Sequence, residues 1–201
     1  MSELATLCAE VNACQKCGLG RLRLKAVPGV GPENASIMFI GEAPGWHENQ
    51  QGRPFVGPAG QFLDELLASI DLKRQDVYIT NVIKCRPPEN RDPLPEEMAA
   101  CADYLDRQIA ILKPKIIVTL GRYSMAKFFG PESISKIHGQ ARKREGIVVF
   151  AMYHPAAALH QPRLRGDLIA DMKKLPPILA EIDKVQEAKP PEEPPQQLSL
   201  F

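Results

Sequence analysis

Four short apolar runs dictate the architecture of this chain. Residues 36–41, 77–83, 115–121 and 146–152 are too short for buried helices and rich in large apolar residues, as fully buried strands are. The stretches between them carry helical spacing or turn residues. Phe62, Leu63, Leu66, Leu67 and Ile70 recur at three- and four-residue intervals and predict a helix over 59–70. Pro95-Glu96-Glu97 predicts a second helix start, because proline is tolerated in the first turn and acid suits the positive end. That helix should run to about residue 112. Further helices are expected over 3–13, after residue 121 and over 165–183. Strands alternating with helices predict an α/β fold, with a central, mostly parallel four-stranded sheet and helices on both faces.

With 201 residues, 44% of them hydrophobic, the chain can bury one sizeable core, expected over residues 1–183. From residue 184 the composition changes. Ala188-Lys189-Pro190-Pro191-Glu192-Glu193-Pro194-Pro195 cannot pack a core and reads as an extended, disordered linker. It ends on Gln197-Leu198-Ser199-Leu200-Phe201, whose large apolar residues suit a tethered docking peptide. The net charge is +1, from 25 basic and 24 acidic residues, so the total shows no nucleic-acid footprint. Three glutamates fall within residues 187–193, which leaves the folded part more basic than the total. No signal-peptide pattern opens the chain, and no apolar stretch approaches the roughly 18 to 20 residues of a membrane span. A soluble, cytoplasmic protein is expected.

The first strand leads into a loop with chemical content. Gly41-Glu42-Ala43-Pro44-Gly45 ends the run Ile37-Met38-Phe39-Ile40 sharply. Glu42 thus emerges just past the carboxyl end of a strand, where open α/β sheets place ligand sites. Glu48 and Gly52-Arg53-Pro54-Phe55-Val56-Gly57 follow. Alone, such a turn is common and its glutamate is usually solvated. Five cysteines in a cytosolic protein point to metal or catalysis before disulfides. Two residues separate Cys14 from Cys17, 67 separate Cys17 from Cys85, and 15 separate Cys85 from Cys101. Four thiolates suit a [4Fe–4S] cluster or a structural zinc, and thiolates alone do not choose between them. Unpaired buried cysteines are the bland alternative. Cys8 lies outside the pattern and reads as a small core residue.

These features resemble a known family. Gly41-Glu42-Ala43-Pro44-Gly45 with Glu48, Gly52-Arg53-Pro54-Phe55-Val56-Gly57, Thr80-Asn81 and His154-Pro155-Ala156-Ala157-Ala158-Leu159 are similar to the signature of family 4 uracil-DNA glycosylases. The four cysteines match that family's [4Fe–4S] ligands in order and spacing, and the likeness covers about residues 8–182. It implies hydrolysis of the N-glycosidic bond between uracil and deoxyribose. Free uracil and an abasic site would result, the first step of base excision repair. The implied partner is uracil-containing DNA, single- or double-stranded, and the implied state is a monomer.

The same resemblance suggests roles for individual residues. A glycosylase takes its base out of the stack. Phe55 would stack on the flipped ring, unless it is plain core. Asn81 would pair with the N3–H and O4 edge that distinguishes uracil from cytosine; an Asn there is otherwise a turn residue. Glu48 resembles the barrier against the thymine methyl, and Gly41 and Ala43 would line the base pocket. His154 resembles the donor to uracil O2, where negative charge develops; a lone His is otherwise a satisfied loop residue. Glu42 would orient or deprotonate the water. Family 1 relatives carry Asp where this chain has Ala43, so the water chemistry falls to Glu42 or to the main chain. Leu159 would wedge into the gap left by the base, or is simply buried. Arg142, Lys143, Arg144 and Arg163, with His160 and Arg165, are candidate phosphate contacts. Trp46 and His47 depart from the family, which often has acidic residues there. A relative trapped covalently on its product carries Gln in place of Ala43 and an inserted basic loop; this chain has neither, so turnover is expected.

The terminal Gln197-Leu198-Ser199-Leu200-Phe201 resembles the pentapeptide by which bacterial proteins bind the polymerase sliding clamp, and implies a bacterial source. Two readings compete with the enzyme. One is a non-catalytic or product-trapping reader of uracil-containing or abasic DNA. The other is a clamp-associated module with a four-cysteine zinc site.

Overall fold

The protein is described from a computed structural model, over residues 2–187. The clamp-binding candidates Gln197, Leu198, Leu200 and Phe201 lie outside the described residues, as does the Pro/Glu segment from residue 188 onward. Five strands form one sheet: β1 (Ile37–Gly41), β2 (Tyr78–Asn81), β3 (Ile116–Leu120), β4 (Ala141–Arg144) and β5 (Ile147–Met152). Their order is β2-β1-β3-β5-β4. β1, β2, β3 and β5 are parallel, and β4 is antiparallel to β5. The helices are α1 (Glu3–Ala13), α2 (Leu19–Leu22), α3 (Trp46–Gln51), α4 (Pro58–Ala68), α5 (Pro95–Leu112), α6 (Arg122–Phe129), α7 (Ile134–Ile137), α8 (Pro155–His160), α9 (Leu164–Met172) and α10 (Leu175–Glu187). Among the described residues, no helix is long and apolar enough to cross a membrane.

The unbroken apolar runs have a direct cause. Every residue of β1, β2 and β3 is buried, because helices cover both faces of the sheet. Side chains alternate between the two faces along each strand. Ile37, Phe39, Val118, Phe150 and Met152 point into one core with Phe62, Leu63, Leu66 and Leu67 of α4. Met38, Ile40, Ile117 and Val149 point into the other, with Leu4 of α1, Leu105 and Leu112 of α5, and Met125 and Phe129 of α6.

Two sequence-based expectations need correction. The sheet has five strands, where four are expected. The additional one, β4, is Ala-Arg-Lys-Arg and is exposed at all four positions. An edge strand solvated on both faces has no apolar period to reveal it. What builds it is the turn Glu145-Gly146, with φ of 49° and 85°, the left-handed pair that a tight hairpin requires. Its cationic side chains also discourage pairing with another chain's edge. The second correction concerns the helix expected over 165–183, which is two helices, α9 and α10. Pro176 and Pro177 lie in the first turn of α10, where their missing N–H groups cost nothing, whereas a continuous helix through them would lose two ladder bonds. α10 also continues to Glu187, four residues beyond residue 183.

Candidate active site

The carboxyl ends of β1 and β2 open into a cleft of about 490 Å³. Glu42, Glu48, Phe55, Asn81 and His154 line it, as the sequence predicts. Glu42 follows directly on β1, Asn81 ends β2, and His154 follows β5 as the N-cap of α8. Three parallel strands ending at one level therefore bring residues 42, 81 and 154 together.

Asn81 is 1% exposed, and its Oδ1 has no hydrogen-bond partner. A buried acceptor left unpaired is costly, on the order of 1 to 3 kcal/mol, and is retained where a ligand supplies the donor. Its neighbour across the β1–β2 ladder is Gly41. A Cβ there would stand 2.4 Å from Asn81 Oδ1 and 2.7 Å from Phe55 Cζ. Only glycine leaves room for both, so Gly41→Ala should displace the amide and the ring. The overpacking is expected to cost about 1 to 3 kcal/mol of stability and to raise KM for the cleft's substrate at least about tenfold; thermal unfolding and steady-state kinetics check this.

Phe55 is 5% exposed and has a φ of 52°, unusual for a bulky residue. Two anchors over-determine this backbone. Glu48 accepts from the main-chain N–H of Val56 at 2.8 Å and Gly57 at 3.0 Å through Oε1, and from Gly45 at 3.1 Å through Oε2. It is thus a brace between α3 and the Phe55 loop, and its carboxylate faces the cleft while doing so. Arg74 is the other anchor and was not singled out from the sequence. It donates to the carbonyls of Pro54 (3.0 Å) and Phe55, and to Asp64 Oδ1 at 2.5 Å. The Phe55 and His154 rings lie near-parallel, with centroids 5.4 Å apart.

His154 Nδ1 accepts from the main-chain N–H of Ala156 at 3.1 Å. That bond places the ring proton on Nε2, making it a donor. Burial pulls the imidazole down to about 4, against a lesser pull upward from Glu48, so the ring is neutral at pH 7. Glu42 moves the opposite way. Burial and then the charge of Asp92 push its carboxyl up to about 7, and Arg122 partly offsets them. Asp92 is ion-paired with Arg122, so this pair tunes Glu42.

The candidate DNA contacts divide. Leu159 is 46% exposed on α8, and His160 lines the cleft mouth. Arg163 is exposed and donates to Gln161 Oε1 at 3.3 Å. Arg165 is engaged with Glu65 and lies over the Phe62 ring. Arg142, Lys143 and Arg144 are not brought to the cleft. Their partners on β5 run from Val149 back to Ile147, away from the end that leads to His154. β4 is also the sheet edge farthest from β2. Arg142 is paired with Glu132 and lies over the Phe129 ring. A charge run in sequence does not say which end of the sheet it will reach. The Pro-rich segment at 86–95 contributes Pro87, Asn90 and Arg91 to one wall of the cleft, a role that no residue type there announces. Glu89 and Asn90 both have left-handed φ, 55° and 54°, and Arg91 is held by a bidentate pair with Glu97.

Cys14, Cys17, Cys85 and Cys101 line a single small cavity behind β2, together with Arg23 and Lys84. Cys85 Sγ accepts from Arg23 Nη1 at 2.9 Å, and Cys14 Sγ from the Lys16 N–H at 3.4 Å. Burial pushes the Cys85 thiol up and the Cys101 thiol to about 11. Four convergent thiols with N–H donors aimed at two of them fit a thiolate-held centre. Among the described residues, no three His, Cys, Asp or Glu side chains are close enough to hold a single metal ion. Cys8 packs in the core near Tyr78, as expected.

The sequence that builds this cleft has known relatives. Residues 28–175 match the family model described as the Uracil DNA glycosylase superfamily, and the chain belongs to that superfamily. Within it, the chain is similar to Type-4 uracil-DNA glycosylases. It is 47% identical to that of Archaeoglobus fulgidus, over 87% of this chain and 92% of the relative. It is 50% identical to that of Sulfurisphaera tokodaii (87% and 84%) and 42% identical to that of Thermotoga maritima (86% and 93%).

Proposed function

We propose that this protein releases uracil from DNA by hydrolysing its N-glycosidic bond. The observation that carries the reading is the unpaired Asn81 Oδ1 at the floor of a cleft that also holds a neutral imidazole and a carboxyl group with a raised pKa. A flipped uracil offers N3–H to Asn81 Oδ1 and takes a bond from the amide N–H at O4. Cytosine has an acceptor at N3 and a donor at C4, and mismatches both. Phe55 supplies the flat wall, and the braced Glu48 carboxylate stands as the barrier to a 5-methyl group.

His154 Nε2–H donates to uracil O2. As the bond between C1′ and N1 breaks, its electron pair passes to the base, and the charge spreads to O2. The donor is thus aimed where charge develops. The sugar becomes oxocarbenium-like, and Glu42, when ionised, stabilises it and takes a proton from the attacking water. Oxygen joins C1′, the uracil anion leaves and is protonated, and an abasic site remains. Leu159, exposed beside the cleft, would fill the gap in the stack, and Arg163 would contact phosphate.

Cys14, Cys17, Cys85 and Cys101 would hold a [4Fe–4S] cluster. Thiolates round one zinc lie at about 2.3 Å from it, whereas a cluster holds its ligands further apart. Four thiols lining one cavity, with N–H donors from Arg23 and Lys16 at two of the sulfurs, support such a thiolate-held group. It would staple the N-terminal loop, the segment after β2 and α5 together.

The residues after 187 carry a second proposal: a tail that ends in a sliding-clamp ligand, in the cytoplasm of a bacterium. Tethering raises the effective concentration near new DNA without altering the active site. Deleting residues 197–201 is expected to abolish retention on clamp-coated beads and leave oligonucleotide cleavage unchanged; equal retention of both forms would end this idea. For the activity, the test is multiple-turnover release of uracil from a labelled oligonucleotide, with thymine DNA as control. Tight binding with no free uracil would mean a reader or a trap.

A further inference from the structure

Lys84 has no exposed surface. Its ammonium donates to Thr80 Oγ1, the Asn81 carbonyl and Gln108 Oε1, each at 2.7 Å. All three acceptors are neutral. A buried cation is expensive without an opposite charge. None of the side chains that hold the ammonium is a carboxylate. Lys84 also lines the cavity of Cys14, Cys17, Cys85 and Cys101. Four thiolates carry more negative charge than either a [4Fe–4S] core or a zinc ion carries positive. A centre in that cavity would supply the missing counter-charge.

The other end of the contact reaches the cleft. β2 is the outermost strand on its side, bridged there only at Ile79 to Val30 among the described residues. No strand takes the Asn81 carbonyl; Lys84 does. Gln108 fixes the ammonium in turn, donating to the Pro28 carbonyl at 2.8 Å and to Tyr78 Oη at 3.1 Å.

We infer that Lys84 is a positioning residue linking the two sites: its ammonium balances the thiolate-held centre, and its bond to the Asn81 carbonyl sets the amide that reads the base. This rests on the uracil reading of the cleft and on a metal centre at the four cysteines.

The test uses metal-loaded, full-length protein. Bound metal is identified by elemental analysis, and its loss to a chelator is timed beside KM and kcat. Iron or zinc in the wild type decides the cluster reading by itself, and uracil release by the wild type decides the activity. Lys84→Met, apolar and of similar length, is expected to lose metal about 10- to 100-fold faster, the usual effect of removing a group that supports metal ligands. KM should rise about tenfold with a smaller change in kcat, and discrimination against cytosine should fall. Gln108→Glu brings a carboxylate to the ammonium and gives up the amide's bonds to the Pro28 carbonyl and Tyr78 Oη; faster metal loss is expected, with a rise in KM smaller than that of Lys84→Met, which removes the Asn81 bond outright. Wild-type metal retention in either variant overturns the charge balance. Wild-type KM in a metal-loaded Lys84→Met overturns the link to Asn81. If Lys84→Met fails to fold, Gln108→Glu decides.

Discussion

Replacing His154 with alanine is expected to lower kcat by about 100- to 1,000-fold, the usual loss when a donor to a developing oxyanion is removed. KM should change much less, because the base is gripped by Asn81 and Phe55. The ring owes its competence to two local facts: the Ala156 N–H holds Nδ1 as acceptor, and burial keeps the imidazole neutral. His154 also caps α8, so the alanine variant should lose about 1 kcal/mol of stability. His154→Asn separates the effects. Asn is a good cap, so stability should return, while its shorter amide cannot replace the Nε2–H and kcat should stay low. The pH dependence of stability follows from the lowered pKa. The unfolded ring protonates near about 6.5 and the folded ring near about 4, so its contribution is complete above the first value and is lost as pH falls through the second. The alanine variant should show a flatter stability profile in that window by thermal unfolding. An alanine variant with wild-type kcat would show that O2 needs no donor here.

Most of the sheet was legible because its strands are buried on both faces, which leaves a short run of large apolar residues in the sequence. α5 was legible at both ends, since Pro95 fits a first turn and the period ends at Leu112. β4 was not, because nothing in Ala141-Arg142-Lys143-Arg144 marks an edge strand except its pairing with β5. The break between α9 and α10 was visible in Pro176-Pro177 but outweighed by the apolar period on either side. In the cleft, residues that end strands were legible from motifs: Glu42, Asn81 and His154. Their supports were not. Arg74 holds main-chain carbonyls 19 and 20 positions away, and Lys84, in the segment after β2, is held by Gln108 of α5. Bonds to carbonyls leave no trace in residue type. Arg142 and Arg144 show the reverse: a charge run is plain in the sequence, but its place on the sheet edge away from the cleft is not.

Glu42→Gln is expected to cost about 100-fold or more in kcat, in the range for loss of a general base. Its pH profile tells more than its rate. Burial and Asp92 push the Glu42 carboxyl up to about 7, and the base must be ionised to take a proton from water. The wild-type rate should therefore climb with pH through about 7, and the Gln variant should lack that limb. Asp92→Asn removes the like charge and should move the limb to lower pH; a DNA phosphate in the cleft should move it higher. Stability should change in the opposite sense. The fold prefers the protonated carboxyl, so this group stabilises at low pH, and the benefit is lost as pH rises through about 7. Gln mimics the protonated form at every pH. The inactive variant should then melt higher than wild type at alkaline pH and equal to it in acid. Such a trade is expected where a half-buried carboxylate is kept for chemistry rather than for the fold. A Gln variant that keeps the rate limb would assign that limb to another group, and with wild-type kcat as well it would remove Glu42 from the water chemistry altogether.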